Sequence, residues 1–174
     1  MKTGFTLVEL LVVVLIVGVL SAIALPQYTT AIERARAAEA LTLMGAVRDS
    51  VERYRFQHDV WPENWADLDV SVPLRPGSSS QRGGKSFILQ MGSHPNDPTG
   101  PAWIIWAKRD LTGDQGEYQL QTMLWDDASN ETITATRCCG TKTSPISSDC
   151  GELTAGTKAE TFCNAITGGH NSDF

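Results

Sequence analysis

Few side chains in this sequence are spaced to do chemistry. The clearest group is Cys138, Cys139, Cys150 and Cys163, all within the last 37 residues and after the last strand candidate. An even number of cysteines in an exported chain suggests disulfides. Zinc is the rival for four thiols, but adjacent Cys138 and Cys139 lack the two to four intervening residues usual between paired ligands. Three pairings exist on paper. A bridge between chain neighbours needs a strained ring, which leaves two, each joining one of the adjacent pair to Cys150 or Cys163. Neighbours at the end of an extended strand point to opposite faces. One therefore reaches a partner on the inner side and the other a partner in an outer loop. His58, His94 and His170 are far apart and read as surface residues. Asp126-Asp127 and Asp110…Asp114 read as turn residues, with calcium as their sharper alternative, although no EF-hand spacing surrounds them. Asn130-Glu131-Thr132 matches a glycosylation acceptor by chance. GxSxG, P-loop and HExxH patterns are missing. The reading names no catalytic residue, metal or cofactor, and does not favour an enzyme.

One carboxylate stands apart. Residues 5–25 read FTLVELLVVVLIVGVLSAIAL, and Glu9 is their single charge. About 20 apolar residues in a helix span a bilayer core. A secretory signal is one alternative, with Ser21-Ala22-Ile23-Ala24 as a loose cleavage site. A plain anchor is another. Neither explains Glu9, since a carboxylate within an apolar helix is costly and usually has a partner or a function. Its place near one end also allows snorkelling to the interface.

The elements that position these residues are set by a strong asymmetry. The chain has 174 residues, 41% hydrophobic and 20% charged, with net charge -6. From Trp61 onward there are 8 Lys and Arg against 14 Asp and Glu. The pattern is an acidic body on an apolar stalk. It is too short for a TIM barrel and too apolar for a disordered chain. It lacks the basic footprint of a nucleic-acid binder. Residues 27–57 read as a continued helix, with Ala37, Leu41, Met44, Val47, Val51 and Tyr54 on one face. Arg34, Arg36, Arg48, Arg53 and Arg55 lie mostly off that face. Residues 58–85 form a loop, with a short turn at 62–68, pinned by Trp61, Trp65 and Leu68. The segment 77–84 reads as its mobile tip. Four strand candidates follow, at 86–91, 102–108, 117–125 and 132–137, separated by turn signals. They predict an antiparallel meander. Tyr118, Leu120, Thr122 and Leu124 should face the helix. The strand with Trp103, Ile104, Ile105 and Trp106 should be central and covered on both sides. A short helical turn at 159–166 should bury Phe162 and Ile166. The class is α+β: a long N-terminal helix, apolar in its first half, packed by its second half on a four-stranded antiparallel sheet.

The start of the chain resembles the type IV pilins and the pseudopilins of type II secretion. The resemblance rests on Gly4-Phe5-Thr6-Leu7-Val8-Glu9, the apolar run, and Ala24-Leu25-Pro26-Gln27-Tyr28, and covers roughly the first 55 residues. It implies a prepilin leader at 1–4, short for the family, with Lys2 inside it. A prepilin peptidase would cut between Gly4 and Phe5 and methylate the new amino terminus of Phe5. It implies that Glu9 pairs with the amino terminus of a neighbouring subunit, and that the helix from about Gly18 to Pro26 loses its form in a filament. It also implies a bridged C-terminal region, residues 138–174, within a head spanning 58–174. The expected partners are identical or related pilin subunits, the inner membrane before assembly, the peptidase and a pilus assembly machinery, with no nucleic acid. The expected function is a pilus filament subunit found extracellularly after assembly. A type II secretion pseudopilin is the runner-up, disfavoured because the major pseudopilin uses calcium where a pilin has its cysteine loop. A membrane-anchored binding module is a third reading.

Overall fold

A computed structural model describes residues 4–93, 103–109, 117–127, 132–140 and 155–169. The elements run in the order α1 (Leu7–His58), a 3-10 turn (Trp65–Asp67), β1 (Phe87–Ser93), β2 (Trp103–Arg109), β3 (Gln119–Asp127), β4 (Thr132–Gly140) and α2 (Lys158–Thr167). The chain divides into two compact units, Met1–Glu33 and Arg34–Phe174. Helix α1 contributes to both.

In the second unit α1 is a packing helix. Ala37, Ala40, Met44, Val47 and Val51 are all buried, and their 3-4-3-4 spacing keeps them on one face. Leu41 packs at the margin of this face. Ala40, rather than Leu41, is the fully buried residue at this turn of the helix. The helix ends with Arg55 and His58 in its last turn, where cations suit the exposed carbonyls. The chain then leaves through Asp59 in the left-handed region, at φ 58, a conformation Asp tolerates better than most residues.

The sheet order is β1-β2-β3-β4, antiparallel throughout. It is the predicted meander, with β2 and β3 central. Phe87, Leu89, Trp103, Ile105, Ala107, Tyr118, Leu120 and Leu124 join the helix face in one core. Thr122 is buried as well. On the outer face Ile104, Met123 and Cys138 are buried, with Trp106 and Trp125 packed beside them. The two-sided burial expected of β2 is therefore present. Strand limits differ from expectation by one or two residues at most ends. The exception is β4, which runs to Gly140 and contains both Cys138 and Cys139. These cysteines do not follow the last strand; pairing with Gln121 and Leu120 of β3 extends it through them.

The connector after α1 is tied down at several points. The Trp103 indole N–H donates to the carbonyl of buried Pro62 at 3.1 Å. Leu68 lies in the core, and Trp61 and Trp65 pack against it. The end of the segment read as a mobile tip is instead built into the sheet edge. Arg82 bridges both Leu74 and Leu89 and donates to the Val72 carbonyl at 2.8 Å. Gly83 is buried at φ +126, and a Cβ there would meet the Phe87 carbonyl oxygen at 2.5 Å. Only glycine fits that backbone.

Candidate functional site

The first unit holds four of the residues singled out from the sequence: Gly4, Phe5, Glu9 and Pro26. Gly4 has no atom within 4 Å of where a side chain would begin. Phe5 is 77% exposed. From Phe5 to Leu25, fifteen large apolar side chains are exposed. The most apolar window has a mean hydropathy of 2.9, with none of it buried. The exposure encircles the helix, so no single chain supplies a face to cover it.

Glu9 closes the start of α1. Its Oε2 accepts from the backbone N–H of Thr6 at 2.8 Å and from the Thr6 hydroxyl at 2.7 Å. The Glu9 N–H donates back to Thr6 Oγ1 at 3.3 Å. This reciprocal arrangement is a capping box, which satisfies donors a helix start leaves orphaned. Capping is a third role for Glu9, beside the snorkelling and the partner charge expected from the sequence. The signal was present: a Thr followed three residues later by Glu, ahead of an apolar run. Among the described residues no cation pairs with Glu9.

Pro26 lies inside α1 without breaking it. It has no N–H to give the preceding turn. Just beyond it, the hydroxyls of Thr29 and Thr30 both donate to the Pro26 carbonyl, at 2.9 and 3.0 Å. Back-bonding of this kind weakens and bends helices slightly. The helix is intact here although the proline donates no hydrogen bond.

The cysteines occupy the second unit. Cys139 bonds to Cys163, with 5.8 Å between their Cα atoms. Cys138 is disulfide-bonded as well, and Cys150 lies outside the described residues. Cys139 belongs to the helix-side core and Cys138 to the outer cluster, the opposite facing that adjacent strand positions require. Cys163 sits in α2, whose Ala159, Phe162 and Thr167 are also buried. The Thr157 hydroxyl caps α2 by accepting from the Glu160 N–H at 3.2 Å. Gly168, left-handed at φ 70, ends it. At the same end Arg34 Nε donates to the Ala165 carbonyl at 2.9 Å.

The remaining polar candidates are structural. His58 stacks on Tyr54 at 4.4 Å between ring centroids. Asp126 accepts from Arg55 at 3.0 Å, and the Arg55 guanidinium lies 5.7 Å from the Trp61 ring centroid. His94, His170, Asp110, Asp114 and Asn130 lie outside the described residues, as do Met1, Lys2 and Thr3. Among the described residues no three His, Cys, Asp or Glu side chains are grouped to hold a metal. Asp69 accepts from Arg53 at 2.7 and 2.8 Å and also from the Ser50 hydroxyl. The Arg53 hydrogen bonds, then the Ser50 hydroxyl, hold its carboxyl down to about 2. Asp69 is far from Ser50 and Arg53 in sequence, and no local pattern announces their meeting.

Residues 1–25 match the family model of the prokaryotic N-terminal methylation motif. A type IV major pilin protein of Neisseria gonorrhoeae is 41% identical over 73 residues, covering 42% of this chain and 44% of that protein. This chain therefore spans under half the length of that relative. A second gonococcal type IV major pilin is 41% identical over 120 residues, covering 63% of this chain and 69% of its own length. A fimbrial protein of Moraxella nonliquefaciens is 48% identical over 112 residues, covering 64% and 69%. No solved structure gives a significant match.

Proposed function

We propose that this chain, which belongs to the type IV pilin family, is a structural subunit of a pilus filament. The observation that carries the reading is the helix at residues 5–25, apolar and exposed on all sides. Burying a Val, Leu or Ile side chain is worth about 1.5–3 kcal/mol. Fifteen such groups amount to roughly 20 kcal/mol or more, above the net stability of an ordinary domain. A lipid bilayer covers them before assembly, and the helices of other copies cover them afterwards. The inner membrane, a prepilin peptidase and an assembly machinery are the partners this route requires.

The peptidase would cut between Gly4 and Phe5, where the backbone is open, and methylate the Phe5 amino group. Glu9 then has two roles in sequence. In the lone chain Thr6 satisfies it. In a dry bundle of helices an unpaired carboxylate is costly, and the new amino terminus of a neighbouring copy supplies the cation. A helix shifted along the axis would leave both charges unpaired, so the pair sets register.

Two substitutions separate capping from pairing. Glu9→Gln keeps the capping-box geometry and removes the charge. It should insert in the membrane normally and lower filament yield at least about tenfold, the consequence of losing an ion pair worth some 1.4 kcal/mol or more. Thr6→Ala removes the cap and keeps the charge, and should assemble far better than Glu9→Gln. Counting filaments sheared from cells checks both. Normal yield from Glu9→Gln would reduce Glu9 to a cap.

A further inference from the structure

Helix α1 begins at Leu7, and residues 4–6 ahead of it are not helical. What sets that start is Thr6. Its carbonyl accepts the first helical hydrogen bond, from the Leu10 N–H at 3.4 Å. Its hydroxyl oxygen accepts from the Glu9 N–H at 3.3 Å, while its own N–H donates to the Glu9 carboxylate at 2.8 Å. Thr6 is therefore the N-cap and Glu9 the third helical residue. The peptide between Gly4 and Phe5 falls just outside this boundary. Gly4 has open space around it and Phe5 is exposed.

The boundary can move in one direction only. Backbone groups inside a bilayer have no water to bond, so a membrane helix does not unwind inward. It can lengthen outward, through Phe5 and Gly4, because that moves its unsatisfied N–H groups toward water. Lengthening would wind the Gly4–Phe5 peptide into the helix, with the Gly4 carbonyl accepting from the Val8 N–H. A peptide bond held in a helical ladder is poorly presented to a protease, which cuts most readily in open chain. Two features oppose the lengthening. Gly4 is a weak helix former. The Thr6 cap requires a non-helical backbone at residue 6, so the cap is lost once the helix passes it.

We propose that Thr6 is a positioning residue for processing: its cap holds the helix start at Leu7 and so keeps the Gly4–Phe5 peptide outside the helix for the peptidase. The inference rests on the cleavage site proposed above. Thr6 acts through the start of the helix and not by touching the protease, so substitutions should sort by capping ability rather than by shape. Val has the shape of Thr and no acceptor oxygen. Asn has a different shape and caps at least as well. The test is cleavage of the full chain and its variants by a prepilin peptidase, both reconstituted in phospholipid vesicles, with the products identified by mass. Losing a Thr cap shifts a helix-start equilibrium about fivefold. A substrate that is competent for only a fraction of the time binds more weakly by that fraction. Thr6→Val should therefore raise KM about three- to fivefold with kcat unchanged, while Thr6→Asn and Thr6→Ser keep the native KM. Cleavage slowed by this much still runs to completion, so it does not by itself lower the count of filaments. A native KM in Thr6→Val overturns the proposal. So does a KM in Thr6→Asn as high as in Thr6→Val, which would mean that the peptidase reads the Thr side chain itself. Either result leaves the cleavage site standing. A native chain that is not cut between Gly4 and Phe5 overturns the cleavage site, and this inference with it.

Discussion

The two stretches of α1 share one secondary structure and have opposite surroundings. Up to Leu25 its large side chains are exposed on every side. From Ala37 to Val51 one face is buried, and polar residues such as Arg48 and Asp49, which pair with each other, stand off it. The first stretch has hydrophobicity without a face, and the second has a face. A face tells a helix where its partner is within the same chain. Hydrophobicity all round means the covering must come from elsewhere. The second unit also has what the first lacks: a sheet, a second helix and a disulfide closing one core.

The sharpest way to break this comparison is to separate the two stretches. A chain starting at Arg34 is expected to remain soluble, keep its strand signal and form its disulfides, yet neither bind membrane nor enter filaments. Aggregation or loss of the strand signal on that truncation would show that the second unit depends on the first.

Core substitutions come next. Trp103 is fully buried and holds the Pro62 carbonyl, so Trp103→Ala should cost about 3–5 kcal/mol in denaturant unfolding. Leu15→Ala, in the exposed stretch, should change the same transition by no more than about 0.5 kcal/mol. Equal effects would erase the distinction between the stretches.

The disulfide is somewhat weaker. Cys139–Cys163 closes a separation of 24 residues, worth roughly 3 kcal/mol in the chain-entropy model. The paired change Cys139→Ser with Cys163→Ser should release α2 to protease while leaving α1 helical. Non-reducing peptide mapping of the native chain should recover Cys139 with Cys163 and Cys138 with Cys150.

The smallest effect is electrostatic. Asp69 has its carboxyl lowered from 3.8 to about 2 in the folded chain. A depressed folded value means that its contribution is complete above pH 4 and is lost as pH falls from about 4 through 2. The melting temperature of the native chain should therefore drop more steeply across that window than that of Asp69→Asn. The group is exposed, so the difference will be modest and will shrink with salt.

Much of this was legible in the residues. The 3-4 spacing from Ala37 to Val51 needs no tertiary information, because the period of a helix is a local property. The same holds for the alternation in Tyr118–Leu124 and for the opposite facing of Cys138 and Cys139. The capping role of Glu9 is equally local, since it needs only a Thr three residues before it.

What the tertiary structure alone decided is of another kind. It chose Cys163 for Cys139, since both pairings were sterically open until α2 docked on the helix-side core. It carried β4 through both cysteines, because pairing with β3 overrode a composition that read as tail. It brought Asp69 to Arg53 and Ser50, and it made a buried corner of Gly83 in a segment that reads as loose. Each of these depends on residues far apart in the chain meeting at one place. Local pattern encodes which face is apolar and which backbone bends; only the packed chain settles which distant group arrives there.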